Sequence, residues 1–166
     1  EIPILDASKI LTGTTYMGVP GTAPGPVTWQ TEPEGGFLNL CWSAGTYEQA
    51  NGCSAGNGLL DPLGNGSVLL GAFEYCRYLN QNGATLNCSG GSCTIVDYWH
   101  TPTISELLKG IADQFILSSG SGFDGSSAYW SRNASGAGRA FLAYWTGRVD
   151  YSNEDKIDLY SVRCVR

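Results

Sequence analysis

Charge is scarce in this chain: Asp, Glu, Lys and Arg together make up 14% of its 166 residues, against roughly 25% in an ordinary soluble domain. Positive charge is scarcer still. Nine Lys and Arg face 15 Asp and Glu, for a net charge of −6, so nucleic acid, heparin-like polyanions and an anionic membrane surface are excluded as the main partner. A single histidine and the lack of any Cys-x-x-Cys pair remove zinc-site spacing, and no cofactor is expected. No run approaches the ~18 apolar residues of a membrane span. The chain opens at Glu1 without a start methionine or a signal-peptide h-region, which leads us to expect a mature, processed segment.

Glycine (23), tyrosine (9) and tryptophan (5) are abundant by comparison, and there are six cysteines. An even number without metal spacing reads as a disulfide framework, and disulfides persist in oxidising compartments. The expected location is therefore extracellular or the cell surface. A chain of this length forms one domain with a real core, which bridges reinforce rather than replace. Three pairs are expected. Cys164 lies in the alternating closing run Tyr160 to Arg166, while Ala72, Phe73, Cys76 and Leu79 fall at helical spacing and turn the Cys76 thiol to a buried face. Helix and last strand are then tied as Cys76–Cys164. Cys88 and Cys93 flank four turn formers and clip a hairpin, and Cys41 with Cys53 closes the polar loop 46–60.

Along the chain, residues 1–29 mix short apolar pieces (Ile2, Ile4, Leu5, Ile10, Leu11) with seven Gly and Pro between Gly13 and Pro26, which excludes a long helix. We read them as an extended N-terminal arm and residues 30–166 as the domain. Such an arm must rest on a surface, either along its own terminal strand or on the sheet edge of a neighbouring copy. In the domain, residues 37–42 are a strand candidate and residues 67–79 the first helix, ended by Asn82-Gly83. A hairpin at 88–93 follows, with residues 94–99 as its second strand. Thr103 and Glu106 make a capping box that opens a second helix through Ile116, with Ile104, Leu107, Leu108, Ile111 and Phe115 as its buried stripe. Strand-like pieces follow at 128–131, 139–145 and 158–165. Two helices and then short antiparallel strands make an α+β plan.

The order of these pieces, a cysteine-bearing helix, Trp99-His-Thr-Pro-Thr-Ile-Ser-Glu-Leu107, Tyr129-Trp-Ser131, an aromatic strand and a terminal Val162-Arg-Cys-Val-Arg166, resembles the bacterial domain family of the legionella collagen-like adhesin C-terminal domain over residues 56–166. That family looks like a variant of the C-type lectin fold. The resemblance implies a C-type-lectin-like, disulfide-stabilised domain with two helices and a short-stranded antiparallel sheet, used extracellularly for adhesion, without enzymatic activity and often in oligomers. The chain departs from the family at Trp99-His100-Thr101-Pro102-Thr103, where an arginine is usual. The calcium-and-sugar signature of the lectins is missing too, since Glu32-Pro33-Glu34 lies far too early to replace it.

Catalytic residues are not expected. Asp97 and Ser105 are near His100 in sequence, but nothing in the spacing makes them converge on it as a triad requires. Oxygen-bearing side chains gather at 150–158, so Asp150, Asn153, Asp155 and Asp158 are the calcium candidates; without EF-hand spacing, a solvated acidic turn between two strands is the favoured reading and no metal is expected. The ligand-binding candidates are Tyr129, Trp130, Tyr144, Trp145 and Asn153, because aromatic rings offer large faces with polar tips to a glycan or a protein. Adjacent rings on a strand point to opposite faces, so about half of them must be core. Asn65, Asn87 and Asn133 head N-glycosylation patterns, with no sugar expected on them in an ordinary bacterium. The expected function is attachment by a self-associating, secreted or surface-displayed domain, with binding in the loop-rich half at 118–160. The alternative is a structural subunit of an extracellular filament or pilus-like fibre.

Overall fold

The computed structural model describes residues 15–16, 19–20, 27–30, 38–116 and 122–166. The apolar pieces of the arm at Ile2 to Leu11, the Glu32-Pro33-Glu34 segment and Phe37 lie outside them. In chain order the elements are β1 (Thr15–Tyr16), β2 (Val19–Pro20), β3 (Asn39–Leu40), α1 (Thr46–Ala50), β4 (Ser54–Ala55), β5 (Gly58–Leu59), α2 (Ala72–Tyr75) running into a 3-10 turn (Cys76–Tyr78), β6 (Cys88–Ser89), β7 (Ser92–Cys93), α3 (Ile104–Phe115), β8 (Ala128–Ala134), β9 (Arg139–Trp145), β10 (Val149–Asp155) and β11 (Tyr160–Ser161). The main sheet has the order β10-β9-β8-β11-β3, antiparallel except where β11 runs parallel to β8. It is a small α+β domain with mixed sheets.

Three disulfides join Cys41 to Cys53, Cys76 to Cys164 and Cys88 to Cys93, the pairs expected from helix face, hairpin and loop. Cys88 and Cys93 face each other across β6 and β7. Gly90 and Gly91 between them have φ of 58° and 82°, the left-handed pair that a two-residue hairpin turn requires and that side chains resist.

Cores lie on both faces of the sheet. Trp130, Ala140 and Leu142 pack with Ala72, Tyr75, Cys76, Leu79, Trp99 and Cys164, while Tyr129 and Ala143, their alternates on β8 and β9, pack with Leu107 and Ile111 of α3 and with Phe123. The capping box that opens α3 forms in full: the Glu106 amide donates to Thr103 Oγ1 at 3.2 Å and the Thr103 amide to Glu106 Oε2 at 2.7 Å. Of the expected stripe, Leu107 and Ile111 are buried, and Ile104, Leu108 and Phe115 pack at its rim. Gly110 lets Trp29 approach the helix, since a Cβ there would stand 2.4 Å from the indole.

Trp29 arrives by a ladder that passes through the expected arm boundary. Thr28 and Arg166 exchange both backbone bonds (2.9 and 3.0 Å), Trp29 bridges Val165, and the Gln30 amide donates to the Cys164 carbonyl. The end of the arm therefore packs in cis along the terminal strand. Gln30 is fully buried, giving its amide to the Gly83 carbonyl at 2.8 Å and taking the Cys164 amide on Oε1.

Four local expectations are corrected. The helix expected over 67–79 shrinks to α2 and its 3-10 turn, because Leu70 is engaged in a bridge with Leu60 and the Ala72 and Phe73 amides donate to the Cys41 and Trp42 carbonyls. Residues 94–99 are no strand: the Val96 and Asp97 amides both turn to the Arg77 carbonyl, and Asp97 adopts φ 51°. The loop 46–60 contains α1 and the β4–β5 pair, too short for periodicity to reveal. The acidic turn at 150–158 is mostly strand β10, paired residue for residue with β9 from Val149↔Trp145 to Asp155↔Arg139. Asp, Asn and Glu are poor strand formers, and an edge position with one solvated face tolerates them.

Before β8, the Asp124 carboxylate accepts from the Ser126 amide (2.9 Å) and the Ser126 and Ser127 hydroxyls (2.7 and 3.0 Å). Those bonds, the Ser126 amide foremost, hold its pKa below the usual carboxylate range. A depressed folded value means that folding favours the charged form, so this contribution is present above the unfolded value of about 3.9 and is lost as pH falls through the folded one. Asp124→Asn is expected to flatten the loss of stability below about pH 4, read by denaturant unfolding at stepped pH; an unchanged slope contradicts this.

Candidate functional site

Sheet pairing sorts β9 and β10 by face. Arg139, Phe141, Ala143 and Trp145 share one face with Asp155, Asn153, Tyr151 and Val149, their respective partners. Helix α3 and its surroundings cover Ala143, Val149 and Trp145. The rest of this face, Tyr151, Phe141, Asn153, Arg139 and Asp155, forms an open strip. Tyr151 is 55% exposed, its ring edge-on to Phe141 with centroids 6.3 Å apart. Beside them Arg139 Nη1 donates to the Asn153 backbone and side-chain oxygens at 3.1 and 3.0 Å. At the far end the Tyr47 hydroxyl donates to both Asp155 oxygens at 3.3 and 3.4 Å, and Tyr47 lies over Gly138, where a Cβ would stand 2.5 Å from its hydroxyl. Desolvation, and after it the Asp155 carboxylate, pushes the Tyr47 hydroxyl above the ordinary tyrosine range.

The strip has Phe141 and Tyr151 at one end and Tyr47 of α1 at the other, with a guanidinium, an amide and a carboxylate between them on a pair of strands seven residues long. Chemically it offers apolar faces for stacking and both donors and acceptors for hydroxyl groups, the combination that holds a planar, many-hydroxyl ligand. Among the described residues, no group of three or more His, Cys, Asp or Glu is placed to hold a metal.

The residues singled out from sequence divide. Tyr129 and Trp130 are both 0% exposed and cannot touch a ligand; β8 is a central strand covered on both faces, so alternation sends one ring into each core. Tyr144 is half-buried against the core on the α2 side, and Trp145 stacks on Phe115 with centroids 4.9 Å apart. Asn153 alone of the five lies on the open strip. Sequence reasoning missed Phe141, Tyr151, Arg139 and Tyr47. The signal was the alternation Tyr151, Asn153, Asp155, available only once 149–155 is read as a strand.

The calcium candidates do not converge. Alternation turns Asp150 away from Asn153 and Asp155, and Asp150 takes Arg148 Nη2 at 3.1 Å and the Tyr151 amide at 2.9 Å. That amide, then Arg148, holds Asp150 below the usual carboxylate range. Asp155 is engaged by Tyr47 and the Ile157 amide.

No protein family, curated protein or solved structure compared with this chain matches it.

Proposed function

We propose that this is a secreted or cell-surface, non-enzymatic attachment domain of C-type-lectin-like fold whose β9–β10 strip binds a glycan. Exposure of Tyr151, edge-on to the half-buried Phe141 and beside the Arg139–Asn153 pair, is the observation that carries the reading. The fold assignment is supported by the bridge from the α2 segment to the final strand, the ladder between residues 28–30 and 164–166 and the placing of the capped helix α3 against the sheet. Three disulfides suit an oxidising, extracellular setting, and no described helix is long and apolar enough to cross a membrane.

The filament alternative needs a free edge that accepts a neighbour's strand. Edge strand β10 carries Asp150, Glu154 and Asp155, and charges on an edge oppose such pairing. Attachment is therefore the stronger reading.

A glycan array probed with the disulfide-intact chain is expected to return a neutral or weakly charged saccharide. Against that saccharide, Tyr151→Ala and Asn153→Ala are expected to weaken binding by about tenfold or more, the size of losing an anchoring contact, with thermal stability close to wild type, since exposed positions seldom matter to the fold. An array without a hit, or a hit indifferent to both substitutions, rejects the strip as the site.

A further inference from the structure

A second cleft, of about 240 Å³, shares no residue with the strip and is lined by Phe73, Arg77, Asp97, His100, Thr101 and Arg132. Every lining residue except one is held in place by a partner. Thr101 is buried and donates its hydroxyl to the Ala72 and Phe73 carbonyls at 3.0 and 3.2 Å. Phe73 leans on Trp42 with centroids 5.3 Å apart. His100 exchanges both backbone bonds with Val165 (2.9 and 3.0 Å), and its Nε2 lies 3.7 Å from Glu106 Oε1. Arg77 holds Asp97 through Nε and Nη2 at 2.8 and 3.4 Å, and its carbonyl takes the amides of Val96 and Asp97. Asp97 is the one non-glycine residue with positive φ among the described residues; that conformation is uncommon and clusters at sites whose surroundings over-determine it.

The exception is Arg132. Its backbone amide donates to the Pro102 carbonyl at 2.8 Å, which fixes where the side chain starts, yet its guanidinium has no hydrogen bond or ion pair among the described residues. Arg77 and Asp97 neutralise each other. The lining of the cleft thus includes one arginine whose guanidinium is uncompensated, in a chain whose net charge is −6, together with Phe73. A guanidinium is a planar fork of donors that matches a carboxylate with two parallel bonds, and the cavity beside it has room for a body of about one sugar ring or one amino-acid residue.

We infer that this cleft is a binding site for a small carboxylate, with Arg132 pairing the carboxylate and Phe73 packing against the body that carries it. The same chemistry is offered by an acidic sugar and by the free C-terminus of a peptide. The test is a titration of the 15N-labelled chain followed by NMR, with methyl glucuronide and N-acetyl-leucine as the two carboxylates and methyl glucoside and N-acetyl-leucine amide as their uncharged counterparts. Shifts at Thr101, His100 and the Arg132 amide and Nε with one or both carboxylates, and not with the uncharged pair, support the site and say which source supplies it. Arg132→Ala is expected to weaken that binding by about tenfold or more, as loss of a charge-assisted pair does, and Arg132→Lys to restore only part of it because an ammonium lacks the fork. Equal shifts from the uncharged compounds, no shift from any of the four, or an Arg132→Ala chain that folds and binds as before would each overturn the inference. Arg132 is exposed, so its removal does not threaten the fold.

Discussion

Replacing Cys164 with serine is expected to cost this domain about 4 kcal/mol or more, since the Cys76–Cys164 bridge spans 88 residues and releasing a loop of that size returns that much entropy to the unfolded chain. Both cysteines are 0% exposed, so the hydroxyl and the orphaned Cys76 thiol are left in a core with little means to satisfy them. Domains of this size have only about 5–15 kcal/mol in total, so the variant should unfold at a much lower denaturant concentration or fail to accumulate. Cys76→Ala with Cys164→Ala separates the two contributions, because it removes the cross-link without adding a polar group. A midpoint in guanidinium chloride within error of wild type for both variants would contradict the assigned role of the bridge.

Trp130→Ala is expected to cost about 3–5 kcal/mol, the range for deleting a large aromatic from a packed core. The ring is 0% exposed, its Nε1 donates to the Leu40 carbonyl at 2.8 Å, and it meets Tyr160 edge-on with centroids 5.0 Å apart. Removing it leaves a cavity and takes away the indole bond that ties β8 to β3 across the intervening β11. The comparison with Tyr151→Ala is what makes the result diagnostic: both remove an aromatic residue from the same sheet, and only the exposed one should alter glycan binding without altering stability. A Trp130→Ala chain as stable as wild type that no longer binds its saccharide would place Trp130 in the ligand site and refute the burial described above.

The open strip and the cleft differ in how far they can be reached from residues alone. Asn153 was accessible as a polar residue in an oxygen-rich run, but its neighbours Arg139 and Phe141 come from another strand, and their meeting depends on the β9–β10 register. The cleft is less accessible still. Phe73, Arg77, His100 and Arg132 are spread over a stretch that has β6, β7 and α3 between its ends, and they share one wall only because α2 is cut short and residues 94–99 bend back onto the Arg77 carbonyl.

Features that depend on a few neighbouring residues are legible in the sequence: the Thr103–Glu106 box, the Gly90–Gly91 turn between two cysteines, the face of Cys76 and the α+β order of elements. In each, the groups that must meet lie within about one or two turns, so local geometry dictates the outcome. Which aromatics are core, where α2 begins and whether 149–155 pairs were decided by tertiary structure. Tyr129 and Trp130 look like any alternating pair, and only the placing of α3 on one face and the α2 segment on the other buries both. Strand β10 has a composition that resists pairing when taken alone, and it pairs because β9 supplies a continuous, otherwise empty edge. Long-range burial and backbone pairing outweigh local propensities that differ by only about 1 kcal/mol per residue, and those propensities are all that a stretch of sequence can express.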